Sequence, residues 1–192
     1  MCIRDRFRSV ARECGYDFRL LDEVIRINEE QRTRFLRKVR SALWTLKGKR
    51  LGVLGLAFKG GTDDVRESPA ILLVQSLLQE GCEVVAYDPA AMERAREALN
   101  SSIKFADNAY SAAAGADALL VLTEWDEFTT LDLDRLYAQL KYPIVIDGRN
   151  LYDPAVMVAH GFTYYSIGRQ TAAPESKVSA ALTGTNGRRK AE

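Results

Sequence analysis

The sequence predicts an α/β protein with a Rossmann-like, doubly wound and mostly parallel six-stranded sheet, preceded by a long α-helix. Short apolar runs alternate with helical segments between residues 50 and 166, which is typical of a parallel sheet with right-handed crossovers. The first run, residues 51–58, is continuously apolar, as expected for a strand covered on both faces. The chain has 192 residues, 47% of them hydrophobic, so it can bury a substantial core.

The predicted elements follow one another in a regular order. Strands are expected at residues 50–57, 83–87, 103–105, 118–123, 144–147 and 163–166. Helices are expected between them at residues 68–79, 90–99, 109–114 and 133–140, with a short one starting at Asp153-Pro154. Ser68 stands at the preferred N-cap position and Pro69 at the first helical position, so the first crossover helix should begin there.

A long amphipathic helix is predicted for residues 17–46. Apolar residues recur near helical spacing from Leu20 through Val24 and Phe35 to Val39. This stripe is longer than one neighbouring domain would cover, so we expect part of it to pack on another helix or a second subunit. The alternative is that the helix folds back on its own domain. Residues 170–192 lack an apolar period and are expected to form a disordered tail.

Composition excludes several classes of partner. The formal net charge is +1, from 27 basic and 26 acidic residues, so we expect binding neither to nucleic acid nor to a membrane. Charged residues close to the N-terminus are unlike a secretory signal, and a cytoplasmic location is expected. The cysteines at positions 2, 14 and 82 are too scattered for a disulfide framework or a zinc site, and no metal is expected.

The loop that follows the first strand is the main candidate site, because ligands of such sheets bind beyond the carboxyl ends of the strands. Glycines at positions 52, 55 and 60 do not form the Gly-x-Gly-x-x-Gly pattern of dinucleotide-binding turns. The loop instead offers Lys59, whose ammonium suits a phosphate or sugar oxygen, and Arg66, whose guanidinium suits phosphate or carboxylate. Asp63 and Asp64 would repel a phosphate and are expected to hold these basic residues, bind sugar hydroxyls or cap the turn.

Further polar residues follow the other strands. Asp88 stands where an acid can bind a ribose hydroxyl, but Asp-Pro is also an ordinary turn, and both interpretations are open here. Residues 123–128 line a ligand cleft or cap it. Arg149 follows a buried strand in a glycine-containing loop, a suitable position for a phosphate or sugar contact. His160 is expected to cap a helix.

Five motifs in order resemble those of the UDP-glucose 6-dehydrogenases, within the UDP-glucose/GDP-mannose dehydrogenase family. They are Gly-Leu-Ala-Phe-Lys at 55–59, Thr-Asp-Asp-Val-Arg-Glu-Ser-Pro at 62–69, Tyr-Asp-Pro at 87–89, Thr-Glu-Trp at 123–125 and Asp-Gly-Arg-Asn at 147–150. The resemblance implies that residues 1–46 end a central helical dimerisation region and that residues 47–169 form a C-terminal, UDP-sugar-binding Rossmann-like domain. A homodimer through the long helix is implied as well, and the chain is expected to be a C-terminal fragment.

By the same resemblance, Phe58, Lys59 and Arg149 contact UDP-glucose, and Arg66 reaches NAD bound mainly by an N-terminal domain. The family oxidises UDP-glucose to UDP-glucuronate with two NAD and a nucleophilic cysteine. The cysteine segment of the family is not found in this sequence, and Cys2 is not its counterpart, so no catalytic residue is assigned and the chain is expected to be inactive alone. The alternatives are a dehydrogenase for GDP-mannose or UDP-N-acetylmannosamine, or a non-catalytic nucleotide-binding or dimerisation module.

Overall fold

The architecture is a six-stranded, wholly parallel sheet in the order β3-β2-β1-β4-β5-β6. A computed structural model describes residues 3–99 and 102–174. The strands are β1 (Arg50–Leu54), β2 (Glu83–Tyr87), β3 (Lys104–Phe105), β4 (Ala118–Val121), β5 (Ile144–Asp147) and β6 (Thr163–Tyr165). This is the strand order of a doubly wound Rossmann sheet, so the predicted fold class is confirmed.

Helices connect all the strands and precede the first. They are α1 (Ile3–Glu13), α2 (Arg19–Leu43), α3 (Pro69–Gln79), α4 (Met92–Ala98), α5 (Ala109–Ala113), α6 (Asp126–Thr129), α7 (Leu133–Gln139) and α8 (Pro154–Ala159). The predicted long helix is α2, and it ends at Leu43, where Trp44 turns to a positive φ of 63°. Helix α6 was not predicted, because four residues are too few to show a helical period.

Strand β1 is the centre of the sheet and the point where its direction of winding reverses. Leu51 pairs with Val84 of β2 on one side and with Ala118 of β4 on the other. The loops that leave the carboxyl ends of β1 and β4 therefore open in opposite directions. Ligands of doubly wound sheets bind beyond the carboxyl ends of the strands at such a point.

The crossover helices leave part of one sheet face open, and α2 fills it. Hydrophobic side chains of α3 and α4 pack on one face, and those of α5, α7 and α8 pack on the other. On the face that carries α3 and α4, no crossover helix of the described residues covers β4, β5 and β6. There α2 buries Phe35, Val39 and Leu43, and Lys38 Nζ donates to the Ser166 carbonyl oxygen. The C-terminal half of the long helix thus packs on its own domain.

The N-terminal half of α2 has a different environment. Leu20 is 71% exposed, and Val24 and Ile27 are exposed as well. The preceding helix α1 also exposes Phe7 and Val10. This apolar surface is the part of the predicted stripe that the domain does not cover.

Strand β1 ends earlier than predicted. The apolar run was expected to stay in the strand to Ala57, but the strand ends at Leu54. Gly55 then takes a φ of +90°, and the N–H groups of Leu56 and Ala57 donate to the Asp88 carboxylate instead of to a neighbouring strand. The residues stay buried because the loop crosses the sheet edge, which is why their hydrophobicity resembled that of a strand.

The start of the predicted tail is ordered. Ala172 pairs antiparallel with Tyr164 through N–H···O contacts of 2.7 and 3.0 Å between the two backbones. Ordered structure therefore continues past the expected boundary at residue 170, and residues 175–192 lie outside the described residues. In the part of the chain that the structure describes, no helix is both long and apolar enough to span a bilayer.

Candidate functional site

The β1–α3 loop is held in place by one buried carboxylate. Asp88 is 1% exposed, and its Oδ2 accepts hydrogen bonds from the N–H groups of residues 56–57 at 2.7 and 3.0 Å and from Trp125 Nε1 at 3.1 Å. Its Oδ1 accepts from the N–H groups of residues 90–91. Both oxygens are occupied by protein donors. Of the two interpretations of Asp88, the structure therefore supports the turn and not the ribose contact.

Two glycines allow the loops after β1 and β4 to touch. A Cβ on Gly55 would lie 2.4 Å from Thr123 Cβ, and a Cβ on Gly60 would lie 2.1 Å from the Glu124 carbonyl oxygen. Thr123 Oγ1 also donates to the Ala57 carbonyl oxygen at 2.8 Å. The backbone at Gly55 therefore approaches Thr123 closely. The two loops form one rigid unit at the point where the sheet reverses its winding.

The predicted start of α3 is confirmed. Ser68 Oγ accepts from the Ala70 N–H at 3.2 Å and donates to the Leu56 carbonyl oxygen at 2.8 Å, and Pro69 is the first helical residue. The preceding residue, Glu67, has a φ of 54°. A non-glycine residue in this left-handed region costs about 1–2 kcal/mol, and such strain tends to cluster at functional sites.

Arg66 is directed by a neighbouring carboxylate. Asp64 accepts from Arg66 Nε at 3.0 Å and from its terminal nitrogen at 2.7 Å, and the Asp64 carbonyl oxygen accepts from the Phe58 N–H at 2.8 Å. The hydrogen bond from Arg66 holds the pKa of the Asp64 carboxyl well below its usual range. The Arg66 side chain is 79% exposed. Asp64 thus orients a cation toward solvent, one of the roles expected for it.

A cleft of about 730 Å³ lies between α2, α3 and the carboxyl ends of the strands. Of the predicted site residues, Phe58 and Arg149 line this cleft, while Lys59 and Arg66 are exposed on the same loop outside its lining. The side chains and backbone that line it are those of Ile25, Asn28, Glu29, Gln31, Arg32, Phe35, Phe58, Glu67, Pro69, Ala70, Leu72, Leu73, Leu122, Gly148, Arg149 and Ile167.

The contribution of α2 to this cleft was missed. Ile25, Asn28, Arg32 and Phe35 follow one another at helical spacing and form one face of the helix. The polar residues within this otherwise apolar stripe were the available signal. Sequence alone did not show that this face looks onto the loops of the sheet, because the two lie far apart along the chain.

Arg149 is placed by two carboxylates. Its N–H donates to Oδ1 of the fully buried Asp147 at 2.7 Å, and its Nε donates to Glu124. The next residue, Asn150, has a φ of 57° and exchanges side-chain hydrogen bonds with the backbone of Ile167 at 3.1 and 2.8 Å. The loops after β4, β5 and β6 are therefore joined around the guanidinium.

The chemistry of this site is that of binding. Phe58, 45% exposed, offers the cleft an aromatic ring, and Arg149, which also lines the cleft, offers a cation. Away from the cleft, burial together with the charge of Glu80 raises the pKa of the Cys82 thiol to about 11, so this cysteine is no nucleophile at neutral pH. In residues 3–99 and 102–174, no group of three His, Cys, Asp or Glu side chains is arranged to hold a metal ion.

Comparison with known proteins gives the affiliation of this fold and site. The model of the UDP binding domain of the UDP-glucose/GDP-mannose dehydrogenase family matches residues 52–154. The chain belongs to this family. The match contains the β1–α3 loop, the Glu124 loop and the Arg149 loop, so the resemblance carried by the sequence motifs is confirmed.

Curated relatives named UDP-glucose 6-dehydrogenase cover most of the chain. The chain is 41% identical to TuaD of Bacillus subtilis over 161 residues, which are 84% of this chain and 35% of TuaD. It is 49% identical to AglM of Haloferax volcanii over 159 residues, which are 83% of this chain and 35% of AglM. The chain thus spans about 35% of the length of these family members.

Solved structures of the family share the fold. A UDP-glucose dehydrogenase from Pyrobaculum islandicum is 31% identical, with a TM-score of 0.66 over 74% of this chain and 32% of that one. A UDP-D-ManNAc dehydrogenase from Pyrococcus horikoshii is 30% identical, with a TM-score of 0.67 over 83% of this chain and 36% of that one. The sheet of this chain therefore corresponds to the UDP binding domain of the family.

Proposed function

We propose that the chain is the UDP-sugar-binding part of a UDP-glucose 6-dehydrogenase, which oxidises UDP-glucose to UDP-glucuronate with two NAD. The observation that carries the proposal is the cleft at the carboxyl ends of the strands, which both Phe58 and Arg149 line. A nucleotide sugar has a flat base and a diphosphate, and a cleft lined by an aromatic ring and a guanidinium suits both groups. Identity of 41–49% to proteins named for this activity supports the same substrate.

In this proposal Arg149 binds the diphosphate, because its forked N–H donors match phosphate oxygens. Phe58 contacts the nucleotide, and the exposed Lys59 next to it supplies a second cation at the mouth of the cleft. Arg66 faces solvent on the same loop and would reach NAD held by another domain. Oxidation needs that domain and a nucleophilic cysteine segment. Neither the Gly-x-Gly-x-x-Gly pattern of a dinucleotide-binding domain nor the cysteine segment occurs in this sequence.

We also propose that the chain forms a homodimer through its long helix, in the cytoplasm. The support is the apolar surface on the N-terminal half of α2 and on α1. Exposed apolar side chains of this size are unusual on one face of a free helix. They are Ile3, Phe7, Val10, Leu20, Val24 and Ile27.

Titration of the 192-residue chain with UDP-glucose tests the binding role. We expect Lys59→Ala and Arg149→Ala each to weaken binding by about 1.5–3 kcal/mol, because each removes a charge-assisted hydrogen bond. Lys47→Ala is the matched control, since Lys47 precedes β1 at the opposite edge of the sheet. Unchanged affinity in both site variants would remove these assignments, and tighter binding of GDP-mannose than of UDP-glucose would favour the alternative substrate.

A turnover assay tests whether the chain alone can oxidise UDP-glucose. The chain alone, mixed with UDP-glucose and NAD, should produce no NADH, because it lacks the dinucleotide fingerprint and the cysteine segment of the family. Production of NADH by the chain would contradict the proposal.

A further inference from the structure

We propose that Glu124 is a positioning residue that holds the Arg149 guanidinium at the cleft with its terminal N–H donors free for the diphosphate of the substrate. This inference rests on the proposed function. It concerns a carboxylate that does not line the cleft itself. Its role follows from which nitrogen of Arg149 it engages and from how firmly its own backbone is held.

The backbone of Arg149 is fixed from below. Asp147, which is fully buried, accepts from the Arg149 N–H at 2.7 Å, from the Leu151 N–H at 2.7 Å and from the Tyr164 hydroxyl at 2.7 Å. These three hydrogen bonds hold the carboxylate in one orientation. The Cα of Arg149 therefore has a defined position at the end of β5, and only the long side chain remains to be ordered.

Glu124 orders that side chain through one edge of the guanidinium. The hydrogen bond runs from Arg149 Nε to Glu124 Oε2. Among the described residues, neither terminal nitrogen of Arg149 has a hydrogen-bond partner. The terminal nitrogens form the fork that binds phosphate in a bidentate manner. Glu124 thus engages Nε and leaves both terminal nitrogens available for an end-on contact with phosphate.

Glu124 can act as an anchor because its neighbours are tied to the β1–α3 loop. Thr123 Oγ1 donates to the Ala57 carbonyl oxygen, and Trp125 Nε1 donates to Asp88. Gly60 has no Cβ, so its backbone packs against the Glu124 carbonyl oxygen. Strand β4 lies between β1 and β5 in the sheet. The carboxylate therefore transmits the position of a central strand to the guanidinium on the next one.

The charge of Glu124 fits this role. Burial raises the pKa of its carboxyl. The hydrogen bond and charge of Arg149, together with the Gly60 N–H, lower it by a larger amount, so the pKa lies below its ordinary value. The group is ionised at neutral pH. About two fifths of the Glu124 side chain and a third of that of Arg149 are exposed, at 42% and 35%, so the pair stays open to a ligand.

The first test is titration of the 192-residue chain and its variants with UDP-glucose. Without the anchor, the ligand must order a flexible arginine, so Glu124→Ala should raise the Kd roughly tenfold. Glu124→Gln, which keeps an acceptor oxygen, should recover part of that loss. Glu127→Ala removes the same charge at the same edge of the sheet and should leave the Kd unchanged. With Arg149→Ala as background, Glu124→Ala should have no further effect.

The second test needs no ligand. The Arg149 Nε–H signal in a ¹⁵N-labelled NMR spectrum, assigned by its loss in Arg149→Lys, should be protected from solvent exchange in the parent chain and lost in Glu124→Ala. Equal protection in both, or unchanged or tighter UDP-glucose binding by Glu124→Ala, would overturn the positioning role. If the parent chain fails to bind UDP-glucose, the proposed function fails, and the NMR signal still decides the role of Glu124.

Discussion

At the scale of single residues, buried carboxylates organise the carboxyl edge of the sheet. Asp88 and Asp147 are 1% and 0% exposed, and each accepts several N–H or O–H donors from loops around it. An unpaired buried charge is costly, so such a group persists only where donors converge on it. Here the donors include main-chain N–H groups of the loops that carry Phe58 and Arg149. The loops are therefore shaped by residues that do not face the cleft.

Replacement of Asp88 by alanine should lower the free energy of unfolding by about 3–5 kcal/mol, because it leaves buried N–H groups without acceptors. Asp153→Ala is a suitable comparison, since Asp153 accepts similar backbone bonds at the exposed start of α8 and its loss should cost about 1 kcal/mol. Urea unfolding of the two variants measures the difference. Equal losses would show that burial of Asp88 adds nothing.

At the scale of secondary-structure elements, α2 does two things along its length. Its C-terminal half supplies the layer that the crossover helices leave out above β4, β5 and β6, with Phe35, Val39 and Leu43 buried. Its N-terminal half extends beyond the domain and forms one wall of the cleft. The ring of Phe35 stands at the junction, and a Cβ on Gly148 would lie 3.1 Å from it.

Phe35→Ala should lower the free energy of unfolding by about 3–5 kcal/mol, because it leaves a cavity between α2 and the sheet. Leu20→Ala, on the same helix but 71% exposed, should change it by less than about 0.5 kcal/mol. Both values come from urea unfolding under identical conditions. A small loss for Phe35→Ala would mean that α2 is not part of the folded domain.

At the scale of the whole molecule, the two edges of the sheet differ in electrostatics. At the edge opposite the cleft, Asp117 is 3% exposed and accepts from the Arg50 N–H at 2.9 Å, from Lys141 at 3.1 Å and from Lys49 at 3.4 Å. Burial raises the pKa of this carboxyl. The hydrogen bond from the Arg50 N–H and the two lysines lower it by a larger amount, so the net shift is downward.

A carboxyl whose pKa is lowered in the folded state stabilises the protein at pH values above its unfolded pKa of about 3.9. That stabilisation is lost as the pH falls through the folded-state pKa. The free energy of unfolding should therefore decline below about pH 5. For Asp117→Asn this decline should be less steep, because the asparagine side chain has no carboxyl to protonate. Urea unfolding between pH 7 and pH 3 measures both slopes. Parallel pH dependence in the two proteins would exclude Asp117 as a source of the acid sensitivity.

Sequence patterns predicted the local features of this molecule well. The strands at residues 83–87 and 144–147 have the predicted bounds, and Ser68 caps α3 as its position indicated. These features depend on neighbouring residues, through alternating hydrophobicity, turn residues and capping groups. Arg149 was singled out because it follows a buried strand at the ligand edge. Its position beside the cleft agrees with that reasoning.

Features that depend on contacts between distant residues were not predicted. Asp88 reads equally well as a ribose ligand or a turn, and its bonds to residues 56–57 and to Trp125 decide for the turn. Lys59 stays a predicted substrate contact, and only the structure shows that its side chain is exposed on the loop outside the cleft lining. Asn28 and Arg32 were not chosen as site residues, because the polar positions in the apolar stripe of α2 do not show by themselves that this face meets the Arg149 loop, more than a hundred residues away.

The sequence by itself determined the fold class, the order of the elements and the family, because periodicity, turn residues and short motifs are written into neighbouring positions. Tertiary structure alone decided that half of α2 completes the sheet's open face and that Glu124 meets Arg149. Both outcomes come from packing and charge pairing between strands and helices far apart in the chain. Such pairings exist only once the sheet has brought the carboxyl ends of β1, β4 and β5 together.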